Sequence, residues 1–507
     1  MTAPCATLGF VTRPRPPASP ARPDPRPRSG PASTTAAGSG ATGLTAAELA
    51  VLTRGRLLVA STRPVRGAAV DSREVRPGEL FVALPGARTD GHRFLAAAAA
   101  AGAAALIVTR PPEDLAALGD VSVVLVPDGL AALQQIAAGW RAGFDPLVVG
   151  VTGSVAKTST KEAIAAVLGP ALRTLKSEGN RNNEIGLPLT LLRLGPEHQA
   201  VVLEMGMYVG GEIADLARLA GPRIGVVTAV REVHLSRIGS LDAIERAKGE
   251  LVEALPADGV AILNADDPRV RRMGARTAAR VLGYGFDAAA DVRAEAVVSR
   301  GVAGMRFRLV TPGGACDVAT PALGRHGVHN AAAAAAVGLA AGLELADIAA
   351  GLAAGWQAPH RGELVRAGEL TILDDTYNAS PSSMLAALEL LATLPGRRRV
   401  AVLGEMLELG AAHERGHREV GDAAGRLADL LVVVGEGAVG VADAALAAGL
   451  SADRVVVVAD REAALAALRA GPAALAPGDV VLVKASRGAA LEELVAALAD
   501  AAEGAAT

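Results

Sequence analysis

Hydrophobic and polar positions along the chain repeat one theme: a short run of Val, Ile, Leu or Ala, then turn-forming residues, then a longer alanine-rich stretch of helical period. Runs at Glu79–Leu84, Ala105–Thr109 and Val121–Val126 predict short strands, with a helix through Phe94–Ala101 between them. They make a small α/β unit over residues 44–128. A helix at Leu130–Trp140 and a buried strand at Leu147–Val151 open a second region, 129–358, with further strands at Ala200–Leu203, Ile224–Ala229 and Val260–Asn264. Strands alternating with helical segments predict a parallel sheet with crossover helices. Between Asp291 and Ala322 the pattern changes to strands joined by Gly-rich turns, which predicts an antiparallel insert. A third α/β unit, 359–503, carries candidate strands at Val400–Leu403, Leu430–Val434, Val455–Val458 and Val480–Val483. It is expected to be a Rossmann-like doubly wound sheet. No G-x-G-x-x-G follows its first strand, so the fold alone does not imply a dinucleotide. Residues 1–43, rich in Pro, Arg, Ala, Gly and Ser without the apolar stretch of a signal peptide, are expected to be a disordered tail.

A length of 507 residues agrees with three domains at about 150 residues each. The net charge of −3 gives no electrostatic reason to expect nucleic acid. Two cysteines, Cys5 and Cys316, imply no disulfide framework and fit a reducing compartment. The longest apolar stretch, Phe94 to Val108, is mostly alanine and shorter than a membrane span. A cytoplasmic protein without membrane insertion is the expectation. One bias sharpens the picture. Of 50 basic residues only five are lysine: Lys157, Lys161, Lys176, Lys248 and Lys484. A chain that uses arginine so freely keeps lysine chiefly where a compact, deprotonatable ammonium is needed and a planar guanidinium will not serve. Asparagine is as scarce, at 180, 182, 183, 264, 330 and 378.

The strongest local signal runs from Val149 to Ala163. A buried strand enters a small-residue turn, Thr152-Gly153-Ser154-Val155-Ala156, and Lys157-Thr158-Ser159 open a helix. That arrangement aims backbone N–H groups and the helix N-terminus at phosphates, with the lysine on the outer phosphates and a hydroxyl for Mg²⁺. The bland alternative is an ordinary strand–turn–helix with a solvated lysine. Ala156 stands where such loops carry glycine, and its methyl disfavours a positive φ.

The runs T-G-S-V-A-K-T-S-T-K-E, G-N-R-N-N-E-I-G-L-P-L-T-L-L-R-L and L-E-M-G resemble the Mur ligases. So do H-L-S-R-I-G-S, A-K-G-E-L, L-N-A-D-D-P, G-R-H-G-V-H-N-A, D-D-T-Y-N-A-S-P, L-G-E-M-L-E-L-G and V-K-A-S-R, and, upstream, V-D-S-R-E-V-R-P-G-E-L-F-V-A-L-P-G with D-G-H-R-F. The resemblance covers about Leu44 to Leu498. It implies a uridine-nucleotide-binding first domain, a central P-loop ATPase domain and a C-terminal ligase domain that swings in to close the site. It also implies ATP-dependent amide bond formation through an acyl phosphate, with ATP and Mg²⁺ as cofactors and a monomeric enzyme. Within the family the runs look most like the ligases that add D-alanyl-D-alanine to a UDP-MurNAc tripeptide in peptidoglycan synthesis.

By the same resemblance Lys157 and Thr158 serve the β/γ-phosphates and Mg²⁺, and Glu204 and His234 are metal ligands. Lys248, 14 residues after His234, stands where these ligases carry a carbamylated lysine. Asn330 and Arg361 contact ATP, and Asp375 holds its ribose. Lys484 arrives with the third domain, Asp71, Ser72 and Arg73 help hold the uridine-diphosphate sugar, and Asn182 and Asn183 lie nearer the reacting end. The alternatives are a surface histidine at 234, a solvated helix lysine at 248, a helix-cap asparagine and a turn aspartate. Besides Ala156, the chain departs from the family at Ala485 (glycine before S-R), Gly327 (asparagine after the first histidine of G-R-H) and Ser236 (glutamate after H-L). Two competing functions are a Mur-type ligase with other substrates, including the ligase that adds the third amino acid, and a nucleotide-binding paralogue without catalysis.

Overall fold

The computed structural model describes residues 43–86, 89–232, 238–471 and 473–504. The expected tail, up to residue 42, and the candidates His234 and Ser236 lie outside the described residues. Three sheets order the described chain. The first has five strands in the order Arg56–Val59, Ser122–Leu125, Ala105–Val108, Leu80–Val82 and Ala68–Ala69; only Arg56–Val59 runs antiparallel to its neighbour.

The second sheet has nine strands. Leu147–Thr152 lies inside it, between Ile224–Val227 and Ala200–Glu204, with Thr174–Lys176 at one edge. Beyond Ile224–Val227 it continues in parallel through Val260–Asn264 and Arg280–Gly285. The antiparallel stretch is not a separate body. Val292–Ser299 pairs in parallel with Arg280–Gly285, and Met305–Thr311 and Gly314–Thr320 then extend the same sheet edge.

The third sheet has six strands in the order Glu363–Ala367, Leu370–Asp374, Val480–Lys484, Arg399–Gly404, Leu430–Val434 and Val455–Val458. The first two form a hairpin turning at Gly368, and the rest are parallel. As the uninterrupted Val/Leu runs require of strands covered on both faces, Leu430–Val434 and Val480–Lys484 are buried throughout.

The helix Gly129–Ala142, capped by Asp128, buries Leu133, Ile136 and Trp140 in one core with Val82, Ile107 and Val124 of the first sheet, Leu203 of the second, and Leu251 of the helix Leu241–Glu253. The opposite face of the central sheet is covered by Gly324–Ala340, in which Ala331 to Ala336 are all fully buried. Alanine serves here as a packing residue that lets this helix lie close to the phosphate-loop helix, Lys157–Leu168. At Gly338 a Cβ would come within 2.8 Å of Ile348 and 2.9 Å of Val167. Among the described residues, no helix is long and apolar enough to cross a membrane.

Candidate active site

The central strand Leu147–Thr152 delivers the chain into the loop 153–156, and neighbouring strand ends hold that loop. Thr152 Oγ1 donates to the Met205 carbonyl at 2.8 Å, Thr228 Oγ1 donates to the Val155 carbonyl at 2.6 Å, and the Arg231 N–H donates to Ser154 Oγ at 2.9 Å. Gly153 is required: it sits at φ 149°, and a Cβ would lie 1.9 Å from Thr228 Oγ1. Ala156 adopts the left-handed conformation glycine usually supplies, φ 65° and ψ 3°. The loop therefore keeps its shape, and the methyl costs about 1 kcal/mol of backbone strain.

Lys157 Nζ donates to the carbonyls of Gly153 and Ser154 at 2.9 and 3.4 Å and has no carboxylate partner among the described residues. Desolvation lowers its pKa, with Glu204 opposing and Arg361 adding to the shift. Thr158 Oγ1 donates to Glu204 Oε2 at 2.7 Å, and Asn182 Nδ2 donates to Glu204 Oε1 at 2.8 Å. A hydroxyl and a buried carboxylate at a helix N-terminus are hard oxygen donors of the kind Mg²⁺ takes. No group of three or more His, Cys, Asp or Glu is arranged as a metal cage among the described residues. Mg²⁺ commonly needs none, since it binds through one or two carboxylates, water and substrate phosphates.

These groups form one wall of a cavity of about 640 Å³, in the size range of nucleotide and cofactor clefts. The opposite wall comes from the third sheet. Arg361 lies 3.8 Å over the Tyr377 ring, with Arg487 at 5.6 Å. Lys484, buried at the end of its strand, pairs with Asp375 at 2.6 Å and donates to the Asn378 carbonyl at 2.8 Å. Asn330 lines the cavity as well, its Oδ1 accepting from Thr160 at 3.2 Å. Five cationic side chains against three carboxylates suit an anionic ligand.

A second cavity, about 170 Å³, shares Ser154, Lys157, Asn180, Asn182 and Tyr208 with the first and reaches Lys248. Lys248 is 2 % exposed on the helix Leu241–Glu253. Its amine has no hydrogen-bond or ion-pair partner among the described residues. Burial, with a smaller contribution from Lys157, lowers its pKa well below the ordinary lysine value, against the opposing pull of Glu204, Glu250 and Glu212.

The structure thus brings together Ser154 to Ser159, Glu204, Asn182, Asn330, Arg361, Asp375 and Lys484 on the larger cavity, and Asn183 and Lys248 on the smaller one. Asn183 also has a local task, accepting from the Gly186 N–H at 2.9 Å at the start of the helix Gly186–Leu191. Asp71, Ser72 and Arg73 line neither cavity; Asp71 and Arg73 pair at 2.5 Å, which holds the Asp71 carboxyl down at about 2.

Two departures from the family pattern have physical reasons. At Gly327 a Cβ would lie 3.1 Å from the Ala322 Cβ, so a larger side chain there requires Ala322 to give by a few tenths of an ångström. Ala485 fills the room left by Gly404, where a Cβ would meet the Ala485 methyl at 2.7 Å. Residue-by-residue reading of the sequence missed Tyr377, Arg487, Asn180, Tyr208 and His326 as lining residues. Tyr377 and Arg487 stand inside or at the end of runs already singled out, so the signal was present.

Family models match three segments: the Mur ligase family catalytic domain over residues 64–141, the Mur ligase middle domain over 151–338, and the Mur ligase glutamate ligase domain over 360–487. The chain is 41% identical over 471 residues to the UDP-N-acetylmuramoyl-tripeptide–D-alanyl-D-alanine ligase of Mycobacterium tuberculosis strain H37Rv, covering 84% of this chain and 91% of that one. Among solved structures it is similar to MurF from Acinetobacter baumannii, with TM-score 0.80, 32% identity, and 91% and 100% of the two chains covered. It is also similar to the MurF ligase from Thermotoga maritima in complex with ADP, with TM-score 0.75, 28% identity, and 87% and 98% covered.

Proposed function

The chain belongs to the Mur ligase family, and we propose that it joins the terminal carboxylate of a UDP-MurNAc tripeptide to the amine of D-alanyl-D-alanine at the expense of ATP. One observation carries the reading. The phosphate loop, with its Thr158–Glu204 pair, faces the Arg361–Tyr377 and Lys484–Asp375 wall across a single cavity, and the small cavity holding Lys248 opens beside it.

A carboxylate is a poor electrophile, so the γ-phosphoryl group of ATP is transferred to it first. The amine then attacks the acyl carbon and phosphate leaves with the bonding pair. Charge on the moving phosphoryl group must be neutralised in place. Lys157 supplies a cation at the loop, freed from its own backbone carbonyls when phosphate arrives. Arg361 brings a second cation from the third-sheet wall. Thr158 and Glu204, with His234 as the family's further ligand, would hold Mg²⁺, which would neutralise phosphate charge when bound. Asn330 and Asp375 contact the nucleotide, and Asn182 and Asn183 lie toward the acceptor.

Lys248 carries a carbamate in this reading. A buried amine held below its ordinary pKa is neutral often enough to attack CO₂. The N–C bond forms as one C=O π pair of CO₂ moves to oxygen, one proton leaves the nitrogen for solvent, and the neutral amine becomes an anion in the smaller cavity. Asp71, Ser72 and Arg73 hold the uridine diphosphate on the first domain, away from both cavities. The enzyme acts in the cytoplasm as a monomer.

Phosphate release with each substrate omitted in turn tests the proposal, with the product read by mass spectrometry. Release is expected only with ATP, UDP-MurNAc tripeptide and D-alanyl-D-alanine together. Nucleotide binding without release under any acceptor pair would make the chain a non-catalytic paralogue, and release with a different pair would reassign the substrates.

A further inference from the structure

Lys161 is a buried lysine without a part in the reaction drawn above. Its side chain is fully buried one turn beyond Lys157, and Nζ donates to the Ser177 carbonyl at 2.6 Å with Glu162 Oε1 at 3.0 Å. Ser177 is fully buried too; its N–H donates to the Val202 carbonyl at 3.0 Å, and its Oγ accepts from the Glu204 N–H at 3.2 Å. Glu204 in turn receives Thr158 and Asn182. Glu162 also pairs with Lys176, the residue before Ser177. The segment from Lys176 to Asn183 is therefore tied to the phosphate-loop helix by an ammonium, and the carboxylate opposite Thr158 hangs from that tie by its own backbone. Two oxygens converging on one buried point suit a compact ammonium rather than a planar fork. That explains why arginine, used 45 times elsewhere, does not stand here.

We propose that Lys161 is a positioning residue for the metal site: through Ser177 it fixes the Glu204 carboxylate in register with Thr158 and the Asn182 segment. Loss of the tie lets Glu204 and Asn182 shift together, which weakens the metal in the nucleotide complex but not the nucleotide itself. The inference rests on the proposed ATP-dependent reaction.

The test compares Lys161→Met and Ser177→Ala with the unaltered protein. Mn²⁺ affinity of the ADP complex is measured by calorimetry, ADP affinity in EDTA, and the Mg²⁺ concentration for half-maximal phosphate release. Mn²⁺ affinity is expected to fall about tenfold in Lys161→Met and less in Ser177→Ala, the range seen when a partner behind a metal ligand is removed. ADP affinity in EDTA stays within about twofold, and the double variant adds little to Lys161→Met because both break one chain of contacts. Wild-type Mn²⁺ affinity in Ser177→Ala, or an equal loss of ADP affinity in EDTA, overturns the proposal; Ser177→Ala decides the matter if Lys161→Met does not fold. Absence of phosphate release from the unaltered protein with both acceptors would instead count against the ligase reading.

Discussion

The two walls of the large cavity solve the problem of a buried lysine in opposite ways. On the third-sheet wall Lys484 is complete in itself: a carboxylate at 2.6 Å and a backbone carbonyl at 2.8 Å take up its charge. On the central wall Lys157 leans on two carbonyls of its own loop, and in the smaller cavity beside it Lys248 has no partner among the described residues. Pairing one's own charge buys stability, whereas leaving a desolvated amine unpaired keeps it available to a ligand. The first kind of lysine holds structure and the second waits for substrate. Turnover and melting temperature should therefore separate the two walls.

The largest effect falls on the waiting side. Lys157→Ala should reduce phosphate release by about a thousandfold, on the scale of losing a preorganised donor to a transferring group. Binding of the UDP-sugar substrate, measured by calorimetry, should be unchanged, because Asp71, Ser72 and Arg73 lie outside both cavities. Lys248→Arg should cost roughly a hundredfold or more in ligation, since a guanidinium forms no carbamate and inverts the charge. Near-normal activity in that variant under bicarbonate depletion would end the carbamate reading.

Lys484→Met should do the reverse of Lys157→Ala. Removing the buried member of this pair leaves the half-buried Asp375 charge without its partner, at a cost of about 1 to 2 kcal/mol once solvent screening of the partly exposed carboxylate is allowed for. The melting temperature should drop clearly, while Lys157→Ala should melt near the wild type. If both variants lose stability equally, the contrast between the walls fails. A subtler separation comes from pH. With its folded pKa held below 10.5, Lys248 leaves the unfolded chain binding a proton that the folded chain does not. Stability from this group therefore rises with pH through the window below 10.5 and is lost as pH falls. In CO₂-depleted buffer, where the amine is free, melting temperature measured from about pH 7 to about pH 9 should climb less steeply in Lys248→Met than in the wild type. The smallest effect belongs to Ala156→Gly. Relief of left-handed strain is largely offset by the entropy glycine adds to the unfolded chain, so a gain under about 1 kcal/mol is expected, with activity kept.

Much of this is legible in the sequence alone. Long apolar runs such as Leu430–Val434 have one physical use in an α/β chain whose helices cover both faces of its sheet, and they fall where periodicity put them. The hairpin Glu363–Ala367 with Leu370–Asp374 was missed, because its half-exposed first strand mixes charges with apolar residues and carries no clean alternation. The scarcity of lysine proved informative about burial: Lys161, Lys248 and Lys484 are buried and Lys157 lines the cavity, leaving only Lys176 well exposed. What composition could not give is pairing. That Lys484 meets Asp375 across 109 positions of chain, or that Asn182 reaches Glu204, depends on which strand ends lie side by side. Ala156 shows the complementary point: sequence located the strain, and geometry showed the backbone accepting it.

The helix Gly129–Ala142 has a consequence for how the molecule comes apart. Its buried face is shared by the first and second sheets, so neither can lose its core while the other keeps it whole. The third sheet is flanked by apolar clusters drawn almost wholly from its own strands and helices. Heat should then find two cooperative units rather than three. The first two sheets melt in one step, as though the domain boundary expected at residue 128 did not exist, and the sheet that carries Lys484 melts in another.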